Sequence, residues 1–502
     1  MTLRHADIAG LGLLLGPALA LATWLLLPAA GPVVDGDGAA AGLDPAGRAT
    51  AAVAVWMAVW WLTEAVPLAA TALLPVALFP LFGIADIGAA TAPYANPLIF
   101  LFLGGFLLGL AVQRFGLHRR IALWILLRVG TSPRALVGGF MLASALLSMW
   151  ISNTATAIVM LPIGVSVLRL LAEQGGGDDG GPMPMQAFGT ALVLGIAYAC
   201  SIGGTGTLVG TPPNLVLAAY VREHYAMDLG MVRWLGIGLP LVAVLLPLTW
   251  LYLTRVAFPL PAAPFRCGRA LLANELARLG PMSSGERVTA IVFGVTAAGW
   301  LLRPQLATWT GVEGLTDAGI AMLGALALFV LPAGPRPAFG EPRPRALDWE
   351  TAKGVPWQIL LLFGGGLSLA SAIAGNGVDG FIAGGLAGLG GLPHWVLVLA
   401  VAALVVLLTE ITSNTAVTTT LMPVLAATAA ATDSPPGILL TAAALAASCA
   451  FMLPVATPPN AIVFASGQVS IAQMARTGLG LNLLAIIVVT GVVSLGGRIV
   501  LG

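Results

Sequence analysis

Apolar runs separated by short polar, glycine-rich or proline-rich breaks extend along the whole chain. Residues 8–27, 51–62, 68–82, 234–253 and 481–493 reach, or with their flanks approach, the ~20 apolar residues a helix needs to cross a hydrocarbon core. The same pattern predicts helices over 96–115, 288–302, 318–331 and 357–374. Two longer apolar stretches, 135–171 and 395–432, are interrupted near their middle by a short polar string. Two others, 187–221 and 437–467, carry Gly, Thr and Pro where a continuous helix needs better helix formers. Composition points the same way. The chain is 58% hydrophobic and 9% charged, whereas soluble domains carry about 25% charged residues. Its 63 glycines and 35 prolines, in so apolar a chain, imply broken or closely packed helices rather than disorder. The predicted class is an all-α polytopic membrane protein.

The interruptions repeat. Ser152-Asn153-Thr154-Ala155-Thr156 returns as Ser413-Asn414-Thr415-Ala416-Val417, 261 positions later. Gly210-Thr211-Pro212-Pro213-Asn214 follows the first copy, and Ala456-Thr457-Pro458-Pro459-Asn460 follows the second. Two different strings in the same order imply duplicated halves. The expected organisation is a first transmembrane helix and loop (1–49) and a first repeat (50–255) with a hairpin at 135–172 and a broken helix at 187–221. A cytoplasmic connector (256–286) then leads to a second repeat (287–502), with a hairpin at 394–432 and a broken helix at 437–467. The stretch 135–171 is compatible with one long spanning helix or with a re-entrant hairpin. Three consecutive hydroxyl or amide side chains that compete with the helix backbone, followed by Pro162, favour the hairpin.

Basic residues test the tracing. With about 11 transmembrane helices, two re-entrant hairpins and a cytoplasmic N-terminus, 17 of the 22 lysines and arginines fall on the cytoplasmic side, as the positive-inside rule requires. The C-terminus then lies outside, and the two repeats have inverted topology. Replacing the hairpins by spanning pairs leaves the parity unchanged, so the count supports orientation more than hairpins.

Other side chains bear less weight. The run over 8–27 resembles a signal peptide in its short basic start, but its length and lack of a clear cleavage site favour a retained helix. Cys200, Cys267 and Cys449 have no metal-ligand spacing, and the histidines (His5, His118, His224, His394) fall near predicted segment ends. The single lysine, Lys353, falls in a polar loop, which argues against Ser/Lys chemistry in the membrane. Glu64, between two predicted helices, reads as a turn or first-turn acid favoured by a helix N-terminus. Glu410, just before the second polar string, has two readings: an intramembrane proton or ion site, or an anchor accepting backbone N–H bonds. The Gly-rich loop 174–186, with Asp178 and Asp179, has no counterpart in the second half and receives no role.

The duplicated strings carry the candidate chemistry. Helix starts expose unpaired N–H groups and about half a positive charge each, which suits anions. Carbonyls of broken helices and the oxygens of Ser and Asn suit a small hard cation such as sodium. Neither motif region contains Arg or Lys. A dianion in such a low-dielectric place needs compensating charge, and bound cations are its natural source.

These residues, with Trp61-Leu62-Thr63-Glu64-Ala65-Val66-Pro67 and Met452-Leu453-Pro454-Val455 before the second TPPN string, resemble the divalent anion–sodium symporter family of di- and tricarboxylate transporters. The resemblance spans nearly the whole chain. It implies a homodimer of eleven-helix protomers, each with a scaffold and a moving transport domain, working by an elevator mechanism. It implies one sodium held by Ser148, Ser152, Asn153 and Gly210, and a second by Thr409, Thr412, Asn414 and Ala456. Substrate carboxylates would meet Ser152, Asn153, Thr154, Ser413, Asn414 and Thr415, with Thr211, Pro212, Thr457 and Pro458. The expected function is sodium-coupled uptake of C4-dicarboxylates such as succinate, malate and fumarate across the cytoplasmic (inner) membrane. Na+ is the coupling ion at two or more sites; no organic cofactor, enzymatic activity or nucleic-acid partner is expected. The alternatives are a sodium-independent exchanger, a sulfate or citrate transporter, an anion channel on the same scaffold and, least favoured, an intramembrane enzyme.

Overall fold

The computed structural model describes residues 5–29, 42–130, 132–173, 185–261, 268–312, 314–334, 343–386, 388 and 391–500. The loop 174–186 lies almost wholly outside them, as do Cys267, Asp35, Asp37, Arg266 and Arg336.

Helix α1 (His5–Leu26) packs along α2 (Pro45–Thr63), which Asp44 caps by accepting from the Gly47 N–H at 2.6 Å. The predicted single helix over 68–82 is two, α3 (Leu68–Thr71) and α4 (Leu74–Leu81). Pro75 has no N–H to offer the carbonyl of Thr71, so the ladder breaks there. A short α5 (Ile87–Thr91) precedes α6 (Pro97–Arg114) and α7 (Leu117–Val129), joined through Gly116 at φ 71°. Arg128 lies on α7, and Arg134 lies in the first turn of α8 (Pro133–Ser148).

The first polar string starts α9 (Asn153–Glu173), and four residues, 149–152, separate it from α8. Helix α10 (Met185–Gly204) is buried on all sides from Phe188 onward, and an irregular segment separates it from α11 (Pro212–Tyr225). Helix α12 (Met231–Leu251) runs into a π-helical turn at Tyr252–Ala257. The basic stretch expected as a connector over 256–286 contains a helix, α13 (Gly268–Arg278), which packs on α7 through an Arg119–Glu275 ion pair of 2.9 Å.

The second half begins with α14 (Ser284–Leu301), started by a Ser283/Glu286 capping box. The short α15 (Arg303–Thr310) turns 81° away from it. Then come α16 (Asp317–Val330), α17 (Trp349–Ala352), α18 (Trp357–Gly375), α19 (Val378–Leu386), α20 (His394–Thr409) and α21 (Asn414–Ala431). The chain ends with α22 (Pro436–Ala446), α23 (Pro458–Ala465) and α24 (Ile471–Val500). Among the described residues, six helices are long and apolar enough to cross a membrane, with a seventh span if α14 and α15 count as one bent element. Shorter apolar helices account for much of the remaining core, α8, α9, α16 and α20 among them.

Packing repeats as the sequence does. Helix α8 lies against α10 and α12, and α20 lies against α22 and α24. The copies also interlock, α10 packing on α23 and α11 on α22. The two helix breaks therefore sit side by side.

Candidate functional site

A helix that begins or ends inside a protein leaves N–H or C=O groups without intrahelical partners. Here eight such ends converge. Helices α8, α10, α20 and α22 stop at Ser148, Gly204, Thr409 and Ala446, while α9, α11, α21 and α23 start at Asn153, Pro212, Asn414 and Pro458. Pro212 and Pro458 sit where a missing N–H costs nothing and a fixed φ favours helix initiation.

One cavity of about 670 Å³ lies among these ends. Ser152, Asn153, Thr154, Gly210, Thr211 and Pro212 line it from the first repeat. Thr412, Ser413, Asn414, Thr415, Ala456, Thr457 and Pro458 line it from the second. Ser148 and Thr409 lie behind this lining with no exposed surface. Each donates its hydroxyl to the amide oxygen of the asparagine five residues on, Ser148 to Asn153 and Thr409 to Asn414, both at 2.5 Å. The Ser152 and Ser413 hydroxyls cap α9 and α21, accepting from Ala155 N–H at 3.3 Å and Ala416 N–H at 3.5 Å.

An asparagine bridges each break in the same way. The Asn214 amide donates to the carbonyls of Gly204 (3.1 Å) and Thr207 (2.7 Å). The Asn460 amide donates to those of Ala450 (3.2 Å) and Leu453 (3.1 Å). All three positions recur at one spacing, 246 residues. Both asparagines have no exposed surface, and both side-chain oxygens lack a hydrogen-bond partner. Neither residue belongs to the expected ligand sets, although each closes a duplicated TPPN string, the signal by which the sequence marks it.

The cavity's electrostatics follow from its lining. Among the described residues it contains no Arg, Lys or His, and its one ionisable side chain is Glu64. Glu64 does not sit at a helix N-terminus. It caps the C-terminal end of α2 in the left-handed region, at φ 49° and ψ 37°, and its carboxylate has no ion pair among the described residues. Positive potential therefore comes from helix starts, about half a charge each, and from whatever cations the carbonyl and hydroxyl oxygens hold. Among the described residues no cluster of His, Cys, Asp or Glu has transition-metal geometry. The oxygens present are neutral and hard, the donor set of an alkali cation.

The second reading of Glu410 is the one its geometry matches. The side chain is 4% exposed and faces the second break. One oxygen accepts from the N–H groups of Phe451 (2.7 Å) and Met452 (2.9 Å), the other from that of Leu453 (3.0 Å). Asn482 on α24 donates to it at 2.7 Å. Tyr198 on α10 donates to the Phe451 carbonyl at 2.9 Å, tying this peptide to the first repeat.

Residues 32–501 match the family described as "Sodium:sulfate symporter transmembrane region". The chain belongs to this family. Among its relatives is the sodium-dependent dicarboxylate transporter SdcS of Staphylococcus saprophyticus, 41% identical over 96% of this chain and 90% of the relative. SdcS of Staphylococcus aureus strain USA300 is 40% identical over 98% and 92%. The symporter family's helical membrane-transporter fold also resembles two distant solved structures. The YdaH transporter of Alcanivorax borkumensis aligns with TM-score 0.55 at 17% identity, covering 97% of this chain and 96% of the other. Neisseria gonorrhoeae MtrF aligns with TM-score 0.58 at 13% identity, covering 98% and 95%.

Proposed function

We propose that this symporter-family member carries C4-dicarboxylates such as succinate into the cell, driven by sodium. One observation carries the reading: both SNT strings and the pairs Thr211-Pro212 and Thr457-Pro458 line a single cavity that has no cationic side chain among the described residues. A dianion moved there from water loses several kcal/mol of solvation per charge. Four helix starts offset part of that, and sodium ions at the two helix-end clusters offset the rest. The cation positions are Ser148, Ser152, Asn153 and Gly210 on one side, and Thr409, Thr412, Asn414 and Ala456 on the other. The carboxylates face Ser152, Asn153, Thr154, Ser413, Asn414 and Thr415, with Thr211, Pro212, Thr457 and Pro458 completing the lining. The two helix pairs α8–α9 and α20–α21 act as re-entrant hairpins from opposite faces of the bilayer. The whole comprises about eleven spanning segments, with a cytoplasmic N-terminus and an outside C-terminus. A homodimer working by an elevator motion completes the proposal.

The test is uptake of labelled succinate into proteoliposomes, with and without an inward sodium gradient, with citrate and sulfate as competitors. Accumulation above equilibrium only with the gradient supports symport. Downhill flux alone marks a channel, and sodium-independent counterflow marks an exchanger. Chemical change of succinate in detergent marks an enzyme.

A further inference from the structure

The two cation positions follow one duplicated plan, yet the residues behind them differ in charge. In the first repeat the break closes on itself: the Thr205 N–H bonds to Ile202 O at 3.1 Å and the Gly206 N–H to Gly203 O at 2.8 Å. The Thr207 hydroxyl reaches the carbonyl of Met149, so every partner there is neutral. Moving 246 positions along the break turns Thr205, Gly206 and Thr207 into Phe451, Met452 and Leu453. Moving 261 positions along the polar tip turns Met149 into Glu410. In the second repeat the three N–H groups leave the helical ladder and point at the Glu410 carboxylate instead. Among the described residues, all four groups that meet its oxygens are donors, three N–H groups and the Asn482 amide, so it accepts throughout and donates to none. That acceptor-only pattern belongs to the ionised form. Glu410 directly follows Thr409, and Leu453, which it holds, accepts from the Ala456 N–H at 3.2 Å.

We infer that Glu410 makes the two cation positions unequal: its buried negative charge lies behind the second one, which therefore fills at lower sodium than the first. Glu410 acts as a positioning and charge-supplying residue that does not itself touch the ion. The inference rests on the sodium-coupled reading above.

The experiment measures sodium-dependent thermal stabilisation of the purified full chain without substrate, alongside the sodium dependence of succinate uptake in proteoliposomes. Asn414→Ala should remove the stabilisation seen at low sodium, and Asn153→Ala should leave it. Glu410→Gln should move the low-sodium midpoint upward roughly tenfold, the effect of removing a nearby charge in a partly screened interior. Asn482→Ala loosens the same brace but keeps the charge, so its midpoint should stay within about twofold of wild type. A Glu410→Gln protein that melts lower at every sodium concentration with an unmoved midpoint would reduce Glu410 to a structural brace. Loss of the low-sodium stabilisation in Asn153→Ala rather than Asn414→Ala, or one midpoint shared by all variants, would overturn the inference as well. Should Glu410→Gln not fold, the two asparagine variants decide it between them. Absence of sodium-driven uptake in the wild type would instead remove the functional reading on which the inference stands.

Discussion

Gly203 is a position near the cavity where the fold leaves almost no room for change. A Cβ added there would lie 2.4 Å from the Cα of Ala145 and 2.4 Å from its carbonyl oxygen. Non-bonded carbons rest at about 3.5–4.0 Å, so α8 and α10 would have to part by about 1 Å. Backbone atoms cannot rotate aside as a side chain can, and overpacking of this kind costs about 1–3 kcal/mol. Gly491, in the middle of α24, has nothing within 4 Å of an added Cβ. There the same substitution should stabilise by up to about 1 kcal/mol through helix propensity. Gly203→Ala and Gly491→Ala should therefore differ by about 1–4 kcal/mol, though the chemical change is identical. Function should separate them further. Ala145 lies one turn before Ser148, whose hydroxyl is bonded to Asn153, and Gly203 adjoins Gly204, whose carbonyl accepts from Asn214. A shift of about 1 Å passed to these groups should lower sodium-driven uptake by tenfold or more. Thermal melts in detergent and succinate uptake at matched protein density read both effects. A Gly203→Ala protein that melts and transports like wild type would refute the claim that α8 and α10 meet backbone to backbone at the helix break.

Asn153→Ala and Asn414→Ala should each abolish sodium-dependent uptake while leaving the protein folded; near-normal transport by both would remove the site assignment. Arg120 and Glu286, whose side chains are 6% and 7% exposed and 2.7 Å apart, join α7 to the start of α14. Arg120→Ala should destabilise by about 3–5 kcal/mol by leaving Glu286 charged and unpaired, and Arg120→Met/Glu286→Met should lose clearly less; equal melting of the two would argue against the pair. Tyr198→Phe removes the hydroxyl that clamps Phe451 and should cost about 1 kcal/mol, read as a lower melting temperature with a complete sodium response.

Much of this architecture was legible in the letters because the decisive rules are local. Apolar length marks the membrane helices. Pro212-Pro213 and Pro458-Pro459 can only start a helix, and the Gly- and Thr-rich segments before them cannot sustain one. A serine followed by asparagine and threonine caps a new helix within four residues. Duplication then told which breaks belong together. The same local reasoning missed Pro75 splitting the helix expected over 68–82, and the helix α13 inside the basic stretch, whose polar face finds its partner, Arg119, on α7.

What the sequence by itself determined, then, was a membrane-helix protein with two matching interruptions, because hydropathy, capping and proline act over a turn or two of chain. Only the tertiary structure decided that both interruptions share one cavity, that Glu64 faces it from the end of α2, and that Glu410 braces the second break. Those outcomes depend on groups tens to hundreds of residues apart, such as Glu410 with Asn482 and Tyr198 with Phe451. A buried carboxylate or carbonyl takes whatever donors packing brings within about 3 Å, and packing is a property of the whole chain.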